Sequence, residues 1–472
     1  MIAQIHQTTE LDENEVQALR ARVHGDLIRP DDPAYDEARK VQNGLIDRRP
    51  ALIVRASGTT DVIEAVNFAR DHHMLLSVRG GAHNVAGHAV NNGGIVIDLS
   101  PMRSVWVDPK MRTVRVGGGA TWADVDRETQ VFGLATPGGN VSTTGVGGLT
   151  LHGGMGHLRR KYGLSIDNLI SVDIVTADGQ LRRASAMENP DLYWAVRGAG
   201  SNFGVVTSFE FRLHPVGPLV YFCGVFYPIE AAPEALPKWR DLVQSEPEEL
   251  SSFAALWSVP PAPVFPPEIH GKAVFLVASL YSGPASEGDR QTQALRSLAS
   301  PLFDMSGPLP YTTLQSAIDG AFVKGMQAYW KSLYLDHLTD DAISTLIRFG
   351  KERPSPFTQV AIWNLGGAIR RVGPTETAYT NRQAPFMISF DSLWIHPDET
   401  DRNIQWTRNA WSTIRQSFTG SGLYPNFPGL AEDQDVARMA YGPNYDRLVE
   451  IKNKYDPDNL FRMNLNIQPK VE

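Results

Sequence analysis

The chain has 472 residues, enough for about two or three domains, and its 42% hydrophobic and 20% charged residues are typical of a globular protein rather than a disordered or fibrous one. Its 44 basic and 52 acidic side chains give a net charge of −8 without any basic run, which disfavours nucleic acid as a partner. The single cysteine, Cys223, excludes an intrachain disulfide framework and any cysteine-based zinc or iron–sulfur site.

Nothing between Met1 and Val16 has the basic and apolar regions of a secretion signal. The longest apolar stretches, such as Ala273 to Tyr281, are far below the ~20 residues that span a bilayer. We therefore expect a soluble, cytoplasmic protein, a monomer or homodimer, with no metal, nucleic-acid or membrane partner.

The first part of the chain carries a helix pattern and then a β-α-β unit. Apolar spacing predicts a helix from Leu11 to Val23, a strand from Ala51 to Val54, a helix from Val62 to His72 and a strand from Leu75 to Val78. Thr121 opens another predicted helix. The further strands predicted in this part are Gly94 to Leu99, Ser104 to Val107, Thr113 to Val116, Ser171 to Thr176, Gln180 to Ala184 and Gly204 to Leu213.

After Pro215 the composition shifts toward proline and aromatic residues, which indicates a second domain. An antiparallel sheet backed by helices is predicted from the alternating segments Ala273 to Tyr281, Trp330 to Leu335, Gln359 to Leu365 and Phe386 to Ile395. A final helix, Asn444 to Lys454, precedes another alternating segment, Asn464 to Ile467. The predicted fold class is α+β.

Two glycine-rich passages, Arg79 to His88 and Pro137 to Gly156, carry the clearest chemical signal. Glycines let successive backbone N–H groups converge on an anion such as a pyrophosphate, with Arg79 adding positive charge. The alternative is a tight loop whose histidines are only satisfied polar residues. Because so many glycines are costly unless the backbone must approach a ligand closely, we predict a large flat cofactor. The passage Gly198 to Gly204 follows a helix and precedes a strand, the wrong order for a dinucleotide-binding fingerprint.

Several segments in their order along the chain resemble the berberine bridge enzyme-like flavin oxidases, which have the vanillyl-alcohol oxidase fold. They are Arg49 to Val54, Arg79 to Gly87, Gly94 to Leu99, Gly145 to Gly156, Lys161 to Asn168, Trp194 to Thr207, Tyr441 to Leu448, Tyr455 to Phe461 and Asn464 to Ile467. The resemblance implies a two-lobed PCMH-type FAD-binding domain at 1–215, with its core at about 46–215, a substrate domain inserted at 216–430, and a C-terminal segment, 431–472, that returns to the FAD domain.

The resemblance further implies that FAD is bound covalently through His83, by a bond from the imidazole to the flavin 8α-methyl carbon. Some members add a cysteinyl link at the position of Val141, and Cys223 lies far away, so we expect no second link, as in the 6-hydroxy-D-nicotine oxidase-like branch. His88 is expected to be a polar wall residue. The expected flavin-binding residues are Arg79, Gly80, Gly81, Ala82, His83, Asn84, Gly87, His88, Pro137, Gly138, Gly139, Thr143, Thr144, Gly145, Gly148, Gly153, Gly156, Gly204, Val205, Tyr441, Asn464 and Asn466.

Catalysis in the resembled family moves a hydride from a substrate carbon to the flavin, often while a base takes the adjacent O–H or N–H proton, and oxygen then accepts the electrons. The tyrosine of the Tyr-x-Asn-Tyr segment that serves as base in some branches is replaced here by Phe427. Ala361, Trp363 and Leu365 predict an apolar floor over the flavin. The remaining polar candidates for the catalytic site are Tyr424, Tyr334, His152 and Lys331.

Each of these candidates also has a structural interpretation. A tyrosine such as Tyr334 can pack at a sheet edge, Lys331 can lie in solvent, and His152 can serve in a structural hydrogen bond. The expected activity is oxidation of a small or medium alcohol, amine or phenolic, polyketide-like molecule, with molecular oxygen as acceptor. A dehydrogenase with another acceptor and a non-catalytic, ligand-sequestering flavoprotein are the alternatives.

Overall fold

The computed structural model describes residues 12–420, 422–430 and 435–470. The predicted helix start at Leu11 lies outside these residues, and the helix that follows is capped by Asp12, whose carboxylate accepts the amide N–H of Asn14 at 2.9 Å. No helix in the described ranges is both long and apolar enough to cross a membrane.

The first lobe is a small, mostly parallel sheet that contains the predicted β-α-β unit. Its elements are α1 (Glu13–Arg22), β1 (Asp26–Ile28), α2 (Tyr35–Ala38), β2 (Leu52–Arg55), α3 (Thr59–Asp71), β3 (Leu76–Arg79) and β4 (Ile95–Asp98). The sheet order is β1-β2-β4-β3, and β2 and β3 both run parallel to β4. Leu52, Ile53 and Val54 are all buried because both faces of this sheet are covered.

The second lobe is an antiparallel sheet with short helices beside it. Its elements are β5 (Val105–Asp108), β6 (Thr113–Gly117), α4 (Trp122–Thr129), β7 (Leu134–Ala135), α5 (Val146–Leu151), α6 (Arg159–Tyr162), β8 (Leu169–Val175), β9 (Leu181–Ser185), α7 (Pro190–Ala199), β10 (Val205–Arg212) and β11 (His214–Pro215). The order is β5-β6-β10-β8-β9, and β7 pairs separately with β11. Thr121 opens α4 as predicted, in a reciprocal capping box with Asp124.

A large antiparallel sheet follows. Its strands are β12 (Leu219–Pro228), β13 (Leu250–Ser258), β14 (Ala273–Tyr281), β15 (Phe303–Asp304), β16 (Gly307–Pro310), β17 (Gln327–Leu335), β18 (Gln359–Asn364) and β19 (Phe386–Trp394). The accompanying helices are α8 (Ala232–Val243), α9 (Gly288–Arg296), α10 (Tyr311–Gln315), α11 (Asp340–Lys351), α12 (Ala368–Arg371) and α13 (Thr400–Ser417). The strand order is β15-β12-β14-β13-β18-β19-β17, with β16 also paired to β12.

The two faces of this sheet have different partners. On β19, Ile388 and Phe390 point into a core shared with the covering helices, whereas Met387 and Asp391 point to the opposite, open face. The same alternation places Ile362 of β18 against the helices. The open face is therefore available to form one wall of a site.

The chain finally returns to the first two lobes through α14 (Val436–Tyr441) and α15 (Tyr445–Tyr455). Lys452 is fully buried on α15, and its Nζ donates to Asp456 Oδ2 at 2.6 Å and to the Asn202 carbonyl at 2.9 Å. Residues 464–467 form no strand but are held by Asn202, whose side chain donates to the Leu465 carbonyl and accepts the amide N–H of Ile467. The domain boundaries at 215 and 430 stay a prediction.

Candidate active site

A large cavity lies between the glycine-rich loops of the first two lobes and the open face of the large sheet. Gly81 and Gly145 line one wall, and Trp330, Trp363 and Asp391 line the other. Its volume is about 1160 Å³. Single small-molecule sites usually occupy roughly 300–1,000 Å³, so this cavity can hold a large cofactor and a substrate together.

The two glycine-rich loops contact each other through their backbones. A Cβ atom at Gly81 would lie 2.2 Å from the amide nitrogen of Gly145, and one at Gly145 would lie 2.3 Å from the amide nitrogen of Gly81. Neither position can therefore carry a side chain without moving the other loop. Gly148 differs, because it lines the cavity and a Cβ atom there would meet nothing within 4 Å. The two loops are therefore in contact at Gly81 and Gly145, whereas the second loop faces open cavity space at Gly148.

His83 lies half-buried in the cavity wall, in the middle of the first loop. Its Nε2 is 2.9 Å from Thr143 Oγ1 on the second loop. Burial lowers the pKa of His83 to about 4, against a weaker opposing effect of the Asp319 carboxylate. The imidazole is therefore neutral near pH 7 and keeps a nitrogen lone pair, as a nucleophile requires.

The chain's cysteine is remote from this wall. Val141 lines the cavity at the position considered for a second link. Cys223 is buried on β12 in the core between the large sheet and its helices, and burial raises the pKa of its thiol to about 12. Its thiol is therefore neutral and turned away from the cavity.

Tyr424 lines the cavity where the large sheet meets the second glycine-rich loop. Its hydroxyl oxygen accepts the amide N–H of Met155 at 3.1 Å and the Nδ2–H of Asn426 at 3.0 Å. Burial raises the pKa of Tyr424 to about 12, although these donors oppose the shift. Phe427 packs edge-on against the ring of Tyr424, with centroids 5.1 Å apart.

Two further histidines of the cavity wall, His152 and His88, are held neutral by burial. The Nδ1 of His152 is 2.9 Å from the carbonyl of Gly148, which can only accept, so Nδ1 carries the proton and Nε2 accepts the Ser201 hydroxyl at 2.9 Å. Burial lowers the pKa of His152. Burial, with the nearby Arg48 charge, lowers the pKa of His88 to about 3. Both nitrogens of His152 are thus already bonded.

Comparisons with known proteins agree with this geometry. The FAD binding domain family matches residues 50–185, and the family described as berberine and berberine like matches residues 423–468. An FAD-linked oxidoreductase of Dictyostelium discoideum is 32% identical over 455 residues, which cover 95% of this chain and 95% of that protein. The chain belongs to the berberine bridge enzyme-like FAD-linked oxidoreductases. The (R)-6-hydroxynicotine oxidase of Paenarthrobacter nicotinovorans is 30% identical over 464 residues, covering 95% of this chain and 97% of that enzyme.

Solved structures of berberine bridge enzyme-like proteins share the fold. The crystal structure of 6-hydroxy-D-nicotine oxidase from Arthrobacter nicotinovorans superposes with a TM-score of 0.84 at 28% identity, covering 95% of this chain and 98% of that one. BBE-like 1 of Physcomitrella patens gives a TM-score of 0.86 at 23% identity, covering 97% and 100%. The predicted family and the predicted α+β, PCMH-type fold are both confirmed.

The cavity of this berberine bridge enzyme-like chain fits FAD in its donor and acceptor chemistry. Two buried amide oxygens in the cavity wall, Asn140 Oδ1 and Asn464 Oδ1, have no hydrogen-bond partner among the described residues. Such orphaned acceptors suit a ligand that carries N–H and O–H groups, as the flavin and ribityl parts of FAD do. Glycine walls leave space for a flat ring. The residues present are thus compatible with FAD between the two loops and the C-terminal segment.

Apart from Arg79, the predicted flavin-binding residues fall into two sets. The members that line the cavity are Gly80, Gly81, Ala82, His83, Asn84, His88, Gly139, Thr144, Gly145, Gly148, Gly204 and Asn464. The members that lie behind this lining are Gly87, Pro137, Gly138, Thr143, Gly153, Gly156, Val205, Tyr441 and Asn466. Thr143 reaches the site through its bond to His83, whereas Tyr441 is fully buried in the core of the second lobe. Both sets come largely from the same glycine-rich stretches. The sequence therefore could not distinguish the residues that line the cavity from those that pack behind them.

The position of Arg79 differs from the expected one beside a pyrophosphate. Its guanidinium donates to the Ala38 carbonyl, and its Nε lies 3.9 Å from the Asp98 carboxylate. The side chain is turned into the first lobe and does not line the cavity. The positive charge therefore ties β3 to its neighbours, and the structure does not support a phosphate contact from Arg79.

Tyr334 and Lys331 are also placed away from the cavity. The Tyr334 hydroxyl is hydrogen-bonded to that of Tyr379, and burial raises the pKa of both phenols. Lys331 points to the helix-covered face of the sheet, where its Nζ lies 4.3 Å from the ring centroid of Trp411 on α13. Neither side chain lines the cavity, which argues against the catalytic roles expected from the strand pattern.

Asp391 is the cavity residue that the sequence reasoning missed. It lies on the open face of β19, nearly fully buried, and its Oδ2 accepts Gln359 Nε2 at 2.9 Å and Ser389 Oγ at 3.1 Å. Burial raises the pKa of Asp391 to about 7. The expected apolar floor is therefore incomplete. An acidic residue inside an otherwise apolar alternating strand was the available signal.

Proposed function

We propose that this FAD-linked oxidoreductase is an oxidase that removes a hydride from a C–H bond of a small or medium alcohol, amine or phenolic molecule and passes the electrons to oxygen. The observation that carries the proposal is the cavity itself, which faces glycine-rich backbone on one side and aromatic and carboxyl side chains on the other. Bound FAD would supply the two-electron acceptor. The named relatives include a nicotine oxidase, which supports an organic substrate of this size.

We propose further that FAD is attached covalently and only through His83. The imidazole is neutral, lies in the cavity wall and is oriented by Thr143. Gly80 to Asn84 and Gly145 to Gly148 would lie along the cofactor, and Asn464 would bond it from the C-terminal segment. No cysteine lines the cavity, so a second link has no donor among the described residues.

The other side chains of the wall hold this arrangement and shield it from water. His152 joins the second loop to Ser201 and stays neutral, so it orients the wall rather than moving a proton. Tyr424 fixes the Met155 amide and the Asn426 side chain at the junction of the two walls. Phe427 and Trp330 pack edge-on, with centroids 5.3 Å apart, and close the sheet side of the cavity with apolar surface.

Two measurements on the purified holoprotein test the proposal. Acid-precipitated wild-type protein should stay yellow, and His83→Ala should lose that colour, because only a covalent bond survives precipitation. Mixing with a panel of alcohols and amines without oxygen should then bleach the flavin, and admitted oxygen should restore its colour. Flavin that bleaches but is not restored by oxygen indicates the dehydrogenase, and flavin that never bleaches with a ligand that binds indicates the sequestering protein.

A further inference from the structure

The open face of the large sheet carries two buried polar atoms that the protein leaves without a partner. Asp391 uses Oδ2 to accept Gln359 and Ser389, but its Oδ1 has no hydrogen-bond partner among the described residues. Trp330 is the cross-strand neighbour of Asp391 on β17, and its Nε1–H is likewise buried and unpaired within the described ranges. Both residues line the cavity. Leaving such groups unpaired is unfavourable, and a ligand that bonds them can offset this cost.

The surroundings of this pair are aromatic. Phe357, Trp363 and Phe427 line the same part of the molecule, and Trp363 donates its Nε1–H to Ser389 Oγ at 3.4 Å, next to Asp391. The walls of this part of the cavity thus have large flat surfaces and few hydrogen-bonding groups. A ligand with many hydroxyls would lose more hydrogen bonds to water than these walls could replace.

We propose that Asp391 is the substrate-contacting carboxylate of the enzyme, and that with Trp330 it anchors the single O–H or N–H donor of a compact aromatic or alicyclic alcohol or amine. This inference rests on the proposed oxidase function and deepens it. The Asp391 carboxylate accepts the proton of the donor. Bound FAD would supply the acceptor for the hydride that leaves the adjacent carbon, and the carbon–oxygen or carbon–nitrogen bond would become double.

Ionisation of Asp391 governs this contact. Its neighbours on β18 and β19, Gln359 and Ser389, are neutral, so burial alone raises the pKa of Asp391 to about 7. Trp330 on β17 is neutral as well, and Lys331 faces the other side of that strand. The titratable residues elsewhere in the described cavity wall are His83, His88, His152, His270, Lys324 and Tyr424, and none of these residues is hydrogen-bonded to Asp391. Because an ionised carboxylate is the stronger acceptor, donor binding should strengthen as the pH rises through about 7.

The test compares indole with N-methylindole, two flat probes that differ in one N–H donor. Indole has no saturated carbon, and N-methylindole has no N–H or O–H proton to release and a nitrogen lone pair that belongs to its aromatic ring, so neither is a substrate for the proposed reaction. Binding to the holoprotein is therefore read from the flavin absorbance without turnover, and neither probe ionises near neutral pH. Wild type should bind indole roughly tenfold more tightly, which corresponds to ~1.4 kcal/mol, and this preference should grow with pH. Asp391→Leu should bring the two dissociation constants together. Asp391→Asn, which keeps an acceptor but cannot ionise, should keep part of the preference and lose its pH dependence.

Asp126→Asn is the matched control. Asp126 is also buried and accepts a glutamine Nε2 at 3.0 Å, and its Oδ1 has no hydrogen-bond partner in the part of the chain that the structure describes. Its pKa is raised to about 7 as well, but it does not line the cavity. This variant should bind both probes like wild type. Three results would each contradict the proposed role of Asp391. They are equal affinity of wild type for the two probes, absence of saturable indole binding, and an undiminished preference for indole in Asp391→Leu. Acid precipitation and flavin bleaching do not depend on these probes, so the anchor can fail while the oxidase function stands.

Discussion

The Nε2 of His83 and the Oγ1 of Thr143 lie 2.9 Å apart and join the two glycine-rich loops at the edge of the cavity. The bond fixes the orientation of an imidazole that burial keeps neutral. It is the one hydrogen bond that the described residues make to this ring. Thr143 therefore acts on flavin attachment through His83, even though it does not itself line the cavity.

We expect Thr143→Val to lower the fraction of covalently attached flavin several-fold, because the ring loses its hydroxyl partner while the side-chain volume is kept. Thr143→Ser should retain attachment near the wild-type fraction, since it preserves the hydroxyl. The measurement is the flavin absorbance that remains with acid-precipitated protein, divided by the total bound before precipitation. Full attachment in Thr143→Val would show that the bond is not needed to orient His83.

Gly148 tests whether the cavity beside the second loop is the cofactor site. Nothing lies within 4 Å of a Cβ atom at this position, so Gly148→Leu should fold and should project its side chain into the cavity. We expect soluble protein with strongly reduced flavin content. Gly145→Ala should instead lower the yield of folded protein, because its Cβ atom would meet the Gly81 backbone at 2.3 Å. Normal flavin content in Gly148→Leu would show that the cofactor does not bind beside this loop.

Tyr424 and Tyr334 are both buried phenols, but only Tyr424 lines the cavity. Tyr424→Phe removes the acceptor of the Met155 N–H and the Asn426 Nδ2–H, and an unpaired buried donor costs ~1–3 kcal/mol. We expect both Tyr424→Phe and Tyr334→Phe to lower the unfolding midpoint. Only Tyr424→Phe should also slow flavin reduction in the absence of oxygen, by roughly tenfold, because it releases the two groups that hold the cavity walls in position. Equal slowing in both variants would point to a general loss of packing.

The sequence allowed the prediction of features set by local pattern. The β-α-β unit and the strands β17 to β19 were predictable because apolar periodicity reflects burial directly. Glycine density likewise marked both loops of the cavity wall. The pattern did not predict the direction of individual side chains. Arg79 is an example, because it adjoins a glycine-rich loop but points back to Ala38 and Asp98.

The large sheet shows the same limit. Alternation correctly separates Trp330 and Tyr334 from Lys331, but it cannot indicate which face meets the cavity or how far along the strand the cavity extends. Tyr334 shares a face with Trp330, yet the segment around Tyr424 lies over it, as shown by the bond from the Tyr424 amide to Ser332 Oγ at 3.0 Å. The sequence shows Asp391 only as an acidic residue inside an apolar strand. Its position beside Gln359 and Trp330 depends on the pairing of β19 with β18 and with β17.

Asp126 makes the stability of the protein depend on pH. It is buried on α4, its Oδ2 accepts Gln315 Nε2 at 3.0 Å, and burial raises its pKa from 3.8 to about 7. Between these two values the folded state holds a proton that the unfolded state has released. The contribution of Asp126 to the free energy of unfolding therefore falls as pH rises through this window, and the loss of this contribution is complete above about 7.

We expect Asp126→Asn to remove much of this dependence, because the amide keeps an acceptor for Gln315 and cannot ionise. The variant should unfold at a higher temperature than wild type near pH 8 and differ least near pH 4, where Asp126 is protonated in the folded protein. At ~1.4 kcal/mol per unit of pKa, the difference near pH 8 amounts to a few kcal/mol at most. The measurement is the unfolding midpoint of both proteins across this range, at equal flavin content. A variant that is less stable than wild type near pH 8 would show that Asp126 is ionised and stabilised in the folded protein, against the effect of its burial.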